Sequence, residues 1–275
     1  MFYRTDRGTP QGGLLSPLLA NIALTGMEEY LNIQYKEVKR TRYGKEYSYF
    51  NTGGNYRVVR YADDFLVFAK TKEDILEVYQ ILQPYLDERG LTLAEDKTKI
   101  THITKGFDFL GFNFRQYKTK DGLKCLVKPS KKSIKEFKAK ISEKFRMCRG
   151  YSVDELIDNL NPLIRGTANY WRTVVSKETF NKMDHYIWIK TKRFLSRMHQ
   201  NKGWKWIKNK YFPFYFDGKH YGEWILTGPK KGNHLIKMSW TPIKRHIMIK
   251  HNNSPYDKNL VEYFENRKLN HLVVR

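Results

Sequence analysis

The order of apolar and polar positions divides the chain into an early part that mixes strands with helices and a later part dominated by helices. Gly8-Thr9-Pro10-Gln11-Gly12-Gly13 is a turn signal, and Ser16-Pro17 then offers a cap with proline at the first helical position. Leu18, Leu19, Ile22, Ala23 and Met27 continue at helical spacing. Glycines and polar residues at 51–55 break the chain, and two apolar runs follow, at 56–61 and 65–69, with Ala62-Asp63-Asp64 between them. That pattern predicts strand, tight turn, strand. Thr71 can cap a helix from Lys72 to about Arg89, with Ile75, Val78, Tyr79, Leu82 and Leu86 on one face and Gly90 ending it. Short strands are expected at 91–93 and at 107–114.

Beyond Pro129 the period becomes helical. Residues 130–149 are basic with helical spacing, and Ser152 with Glu155 three positions later fits a capping box. A long amphipathic helix is expected over 179–200, with Met183, Tyr186, Ile187, Ile189, Phe194 and Met198 inward. From Gly203 onward aromatics, glycines and prolines indicate short strands and loops. The fold class is therefore α+β: an antiparallel sheet with helices, a mostly helical part, and a basic C-terminal segment. The change of pattern lies near 115–128.

Composition removes several classes of protein. The longest uninterrupted apolar stretch, 65–69, is far short of the roughly 18 residues of a membrane span. No basic-then-apolar leader opens the chain, so a secreted product and a membrane partner are not expected. Cys125 and Cys148 are too few for a disulfide framework or a four-ligand zinc site, and they suit a reducing compartment. The charge is informative once divided. The 275 residues carry 51 Lys+Arg against 28 Asp+Glu, a net of +23, yet residues 1–110 hold 15 of each sign. The whole excess lies beyond residue 110, interleaved with Trp188, Trp204, Trp206, Tyr211, Phe212 and Trp224. Basic stretches mixed with aromatics suit a polyanion with stackable bases, which outweighs the alternative of a merely solvated basic surface.

The sharpest chemical feature is Tyr61-Ala62-Asp63-Asp64. Two adjacent carboxylates at a turn repel each other unless something positive lies before them. A divalent metal answers this, and Mg²⁺ favours a few carboxylate oxygens plus substrate phosphates. Such a site suits phosphoryl transfer with two metal ions. By itself the dipeptide reads as an ordinary polar turn.

Its context is stronger. The residues Thr9 to Leu19 (TPQGGLLSPLL), then Tyr61-Ala62-Asp63-Asp64, then Gly90-Leu91 with Glu95-Asp96-Lys97-Thr98, then Phe109-Leu110-Gly111-Phe112 occur in that order. The series resembles the palm motifs of the reverse transcriptases encoded by group II introns. Asn161 to Trp171 (NPLIRGTANYW) resembles the core of the maturase domain, or thumb, of that family. Pro242-Ile243-Lys244-Arg245-His246 with Ser254-Pro255-Tyr256-Asp257 resembles the basic segment after it. The resemblance spans roughly residues 4–260. It implies a partial palm at 1–120, a maturase thumb at 121–215, and a basic, DNA-binding C-terminal segment at 216–275.

What the resemblance implies can be stated residue by residue. Asp63 and Asp64 are expected as catalytic metal ligands for Mg²⁺, with Mn²⁺ as an alternative. Tyr61 is expected near the primer end, and Ala62 leaves room for it. Pro10, Gln11 and Gly12 are expected beside the template and incoming nucleotide, where small residues permit close approach. Lys97 aligns with a lysine proposed to protonate pyrophosphate, a general-acid role. Phe109, Leu110, Gly111 and Phe112 are expected as a primer-gripping hairpin. RNA phosphates are expected at Lys131, Lys132, Lys138, Lys140, Lys190, Lys192, Arg193 and Arg197, with Arg165, Tyr170 and Trp171 defining shape. The implied partners are group II intron RNA, an RNA or DNA template-primer, dNTPs and target DNA, in a bacterial cytoplasm or nucleoid or in an organelle. Oligomeric state is not readable.

The family takes its first catalytic Asp from a strand well upstream of the Thr9–Gly13 motif, and Asp6 sits too close to the loop to be that residue. The fingers also lack a counterpart. Met1 is therefore expected to be an internal methionine of a longer protein, or the chain a truncated or split copy. A cysteine-bearing nuclease found at the far end of some relatives has no counterpart in 251–275. Three functions stay open: a reverse transcriptase and maturase that is weak or inactive alone, a non-enzymatic RNA-binding splicing factor, and a retron or CRISPR-associated reverse transcriptase. The last leaves residues 163–171 unexplained.

Overall fold

The computed structural model describes residues 15–42, 45–94, 97–120, 122–230, 232–246, 249 and 253–273. The chain divides into two compact units, Met1–Ile100 with Ile249–Glu262, and Thr101–Met248 with Tyr263–Arg275.

In the first unit, helix α1 (Ser16–Ala23) has proline in its first turn, but Ser16 lies inside the helix and the cap position is Leu15, with no side-chain cap hydrogen bond; the short α2 (Met27–Tyr30) follows. Gly26, at φ 92°, separates them, so the one helix expected through Met27 is two, because left-handed backbone cannot continue an α-helix. Hairpin β1–β2 (Gln34–Arg42 with Lys45–Gly53) was not foreseen; polar and charged residues fill most of Gln34–Arg42, leaving no apolar face to signal a strand. Strands β3 (Arg57–Tyr61) and β4 (Asp64–Phe68) pair antiparallel as expected, with Tyr61 opposite Asp64. Helix α3 (Lys72–Asp87) begins at Thr71, whose hydroxyl accepts the Asp74 N–H while the Asp74 carboxylate accepts the Thr71 N–H. Its Val78, Leu82, Tyr85 and Leu86 share a core with Leu24, Met27, Leu31, Ile33 and Tyr56. The strand expected at 91–93 does not form. Leu91 donates to the Leu86 carbonyl at 2.9 Å and Gly90 to Asp87 at 3.0 Å, so this stretch closes the end of α3.

In the second unit, β5 (Phe107–Phe109), β6 (Phe112–Thr119) and β7 (Gly122–Pro129) make an antiparallel sheet with β6 central. The single strand expected at 107–114 is thus a hairpin, turned by Leu110 (φ 47°) and Gly111 (φ 76°). Helices α4 (Lys131–Met147), α5 (Val153–Trp171), α6 (Lys177–Met198) and α7 (Trp204–Tyr211) follow. The Ser152–Glu155 capping box opens α5 as predicted. Phe137 and Ile141 of α4, Leu156, Leu160, Ile164 and Trp171 of α5, and Phe180, Met183, Ile187 and Leu195 of α6 form one core. Tyr186, Phe194 and Met198, expected inward, are only partly buried against it. The two-residue strands β8 (Tyr215–Phe216) and β9 (Tyr221–Gly222) and a 3₁₀ turn at Met238–Trp240 complete this part. Helix α8 (Val261–Val273) lies near the end of the chain. No described helix is long and apolar enough to cross a membrane.

Candidate functional site

The β3–β4 hairpin places two carboxylates at its tip. Ala62, at φ 55°, and Asp63 link Tyr61 to Asp64, and Asp64 opens the return strand. An alanine in left-handed backbone is strained, and such strain tends to persist where neighbours hold the turn in place. Here Arg60 does so: its guanidinium donates to Asn21 Oδ1 of α1 at 2.8 Å and to the Ala62 carbonyl at 3.4 Å. Asp63 and Asp64 are exposed, and neither carboxylate has a hydrogen-bond or ion-pair partner among the described residues. The Tyr61 ring beside them is 63% exposed. Hard anionic oxygens without a cation partner suit a hard divalent cation. Among the described residues no third His, Cys, Asp or Glu joins them, so the pair supplies part of a coordination shell. Lys97 is exposed, and among the described residues no hydrogen bond or ion pair joins it to either carboxylate. Pro10, Gln11 and Gly12 lie outside the described residues.

The expected primer-gripping hairpin belongs to the second unit, where α4 and α5 hold it. Tyr170 Oη donates to the Leu110 carbonyl at 2.7 Å, and the Tyr170 ring stacks on Phe112 at 4.9 Å. Ser130 N–H and Ser133 Oγ both donate to the Gly111 carbonyl, at 3.0 and 2.9 Å. A Cβ on Gly111 would lie 2.9 Å from Ser133 Oγ. The turn is thus seated on the helices at both of its residues.

The basic helices carry the other expected residues. Lys131, Lys132 and Lys140 are exposed on α4, as are Lys192, Arg193 and Arg197 on α6 and Arg165 on α5. Lys138 and Lys190 approach the Tyr186 ring at 5.2 and 5.5 Å. Lys192, Arg193, Ser196 and Arg197 line a shallow cleft with Trp188 and Ile189. Trp171, in contrast, is 2% exposed, with the Phe137 ring 5.6 Å away, so its role in shape is that of a core residue. Three polar side chains to which the sequence reading gave no such role, though Asn161 opens the quoted maturase motif, fix the segment after α7. Asp154 of α5 accepts from Asn233 Nδ2 at 2.8 Å and Lys230 N–H at 3.2 Å. Asn161 of α5 donates to the His234 carbonyl at 2.9 Å and accepts from Ile236 N–H at 3.0 Å. Asp184 of α6 accepts from Met238 and Ser239 N–H at 2.7 and 3.0 Å, while burial pushes its carboxyl up. The signal available was rarity: Asp184 is one of three acidic residues between 181 and 250.

Comparison with known proteins gives two family matches along the chain. Residues 2–114 match the family model described as reverse transcriptase (RNA-dependent DNA polymerase), and residues 134–212 match the group II intron, maturase-specific domain. The group II intron-encoded protein LtrA of Lactococcus lactis subsp. cremoris is 27% identical over 68% of this chain and 43% of its own length. Protein YkfC of Escherichia coli K12 is 33% identical over 44% of this chain and 36% of its own. A putative COX1/OXI3 intron 1 protein of Saccharomyces cerevisiae is 31% identical over 41% of this chain and 18% of its own. The chain spans less than half the length of each of these relatives.

Proposed function

Because the chain belongs to the family of group II intron-encoded reverse transcriptases and maturases, we propose that it contributes the Asp63–Asp64 turn to RNA-directed DNA synthesis and the basic helical unit to gripping intron RNA. The observation that carries this reading is a pair of carboxylates with no partner among the described residues, on a strained, pinned turn, in one chain with helices that expose many cations. Mg²⁺, or Mn²⁺ in its place, would be held by Asp63 and Asp64 and would supply activation of the primer hydroxyl and neutralisation at the leaving phosphate. Tyr61 offers an exposed ring beside the primer end. The β5–β6 turn, fixed by Tyr170 and Ser133, holds the primer strand, and Lys97 donates a proton to pyrophosphate. Pro10, Gln11 and Gly12 are assigned to template and dNTP binding. Lys131, Lys132, Lys138, Lys190, Lys192, Arg193, Arg197 and Arg165 meet RNA phosphates. In this reading residues 1–120 are palm, 121–215 thumb, and 216–275 a basic segment for target DNA, working in a bacterial cytoplasm or nucleoid or in an organelle.

Among the described residues no third ligand joins Asp63 and Asp64, which favours a second reading, in which this chain binds intron RNA without polymerising. One experiment separates them: Mg²⁺-dependent primer extension on an RNA template, with RNA affinity measured in parallel across salt. Extension lost in Asp63→Ala supports the polymerase. Salt-dependent RNA affinity with no extension supports the splicing factor. The expected result for the chain alone is RNA binding with poor extension, and absence of salt-dependent affinity would sink both readings.

A further inference from the structure

On α6, Asn181, Asp184, His185, Trp188 and Lys192 recur at the spacing of one helix face. With the segment from α7 to the Met238–Trp240 turn, this face encloses a cavity of about 570 Å³. That volume falls within the roughly 300–1,000 Å³ of small-ligand clefts. The floor is apolar and buried, built by Ile187, Phe212, Ile225 and Leu226. At the wall the Trp188 and Trp224 rings stand 6.1 Å apart at 86°, one face meeting one edge, and Trp224 is 42% exposed. Lysines ring these indoles. Lys192 Nζ lies 5.0 Å from the Trp204 ring and 5.7 Å from Trp188, and Lys208 Nζ lies 4.6 Å from Trp224 while pairing with Glu223 at 3.5 Å. The Asn181 amide, also in the lining, is exposed and has no hydrogen-bond partner among the described residues. The Asp184 carboxylate is occupied by the Met238 and Ser239 N–H groups, which fixes the opposite wall to α6.

We propose that this cavity receives one unstacked base of a bound single-stranded RNA. The base rests on the indoles of Trp188, on which the His185 ring already stacks at 6.0 Å, and Trp224, meets the Asn181 amide at its edge, and leaves its flanking phosphates to Lys192 and Lys208. The inference rests on the RNA-binding reading above and adds a base-specific contact to it. Perpendicular indoles supply a stacking face and a lateral wall for a flat ring. An amide that can both donate and accept matches a base edge. The cations around the mouth match the phosphates on either side and disfavour a basic peptide.

The test uses the full chain and two ten-residue probes, oligo(A) RNA and an abasic ribose-phosphate strand of the same length. Affinities are measured by filter binding at several salt concentrations, with indole fluorescence as a second readout. Oligo(A) is expected to bind roughly tenfold or more tightly than the abasic strand and to quench indole emission. Trp224→Ala should remove that advantage while leaving the abasic affinity and its salt slope in place, and Trp188→Phe should retain most of it. Asn181→Ala, at an exposed position with no hydrogen-bond partner among the described residues, should change the ranking among oligo(A), oligo(U) and oligo(C) without altering abasic binding. Trp224→Ala and Asn181→Ala variants that keep the wild-type preference, with unchanged circular dichroism, would overturn the inference and leave the cavity to a side chain of a protein partner. If neither probe binds in a salt-dependent way, the RNA-binding reading itself fails and this one with it.

Discussion

Tyr170 Oη donates a 2.7 Å hydrogen bond to the carbonyl of Leu110, while the next residue of the same helix, Trp171, is buried in the core at 2% exposure. Successive helical residues point about 100° apart, so the last turn of α5 holds the core with one ring and the β5–β6 turn with the other. Tyr170→Phe keeps the stack on Phe112 and removes the hydrogen bond, and should cost about 1 kcal/mol in urea unfolding. Tyr170→Ala, which also loses the stack, should cost about 1 kcal/mol more. Equal losses from the two variants would show that the hydroxyl alone holds the turn.

Gly111 answers to two constraints at once. Its φ is 76°, and an added Cβ would stand 2.9 Å from Ser133 Oγ, the atom that donates to the Gly111 carbonyl. Gly111→Ala should destabilise by roughly 1–3 kcal/mol. Adding Ser133→Ala removes the clash and the hydrogen bond together but leaves the strained φ, so the double variant should recover only part of the loss. Thermal melting of the three variants reads this, and full recovery would place the whole cost in the clash.

Particular elements show how far sequence reasoning reaches. Thr71 with Asp74 and Ser152 with Glu155 are local devices, complete within four residues, and each opens its helix where the sequence predicts. The β3–β4 hairpin was equally readable, since two apolar runs flank a polar dipeptide. The pattern of 107–114 reads as one strand because aromatics stand on both sides of Leu110-Gly111; the resemblance places a hairpin at 109–112, and positive φ at both positions makes its turn. Long-range partners left still less trace. Nothing in the spacing of Asp154, Asn161 and Asp184 reveals that their acceptors and donors lie between 54 and 79 residues away. Trp171 and Trp224 are alike in composition, yet one is core and the other a cavity wall, a distinction that burial alone makes.

The start of α5 should carry a measurable pH dependence. The Ser152 N–H and hydroxyl both donate to the Glu155 carboxylate, at 2.8 Å each, and these bonds hold its carboxyl below the usual glutamate range. A depressed folded-state pKa adds stability that is full above the unfolded value of about 4.3 and lost as pH falls through the lower folded value. Denaturant unfolding between pH 6 and 3 should therefore show a steeper acid loss in the wild type than in Glu155→Gln. Ser152→Ala, which removes the cap, should lower stability by about 1 kcal/mol at neutral pH. Identical acid slopes in the wild type and Glu155→Gln would remove the carboxylate from the account.

The exposed cations of α6 should separate affinity from fold. Replacing Lys192, Arg193 and Arg197 together with glutamine removes three exposed charges from one face and none from the core. On single-stranded RNA each lost phosphate contact should reduce the slope of log affinity against log salt by about 0.7. Binding titrations from low to moderate salt read the slope, and an unchanged slope would assign these residues to solubility. The melting temperature should stay within a degree or two, since surface substitutions of this kind change stability by about 0.5 kcal/mol or less.

Asp63 carries the opposite expectation, a gain in stability bought with function. Asp63 and Asp64 are adjacent, exposed and without a cation partner among the described residues, on a turn already strained at Ala62. Uncompensated like charges weaken a fold slightly, and functional sites commonly retain such penalties because the ligand relieves them. Asp63→Asn keeps the shape and halves the local charge, so it should raise stability by roughly 0.5 kcal/mol in metal-free buffer. Under the proposed metal site, millimolar Mg²⁺ should then stabilise the wild type and leave Asp63→Asn unmoved, because a ligand stabilises only the state that binds it. Differential scanning fluorimetry with and without Mg²⁺ reads both effects. If the variant is less stable in metal-free buffer, Asp63 is holding the turn through its own shape. If both proteins respond to Mg²⁺ alike, the ion acts elsewhere on the chain.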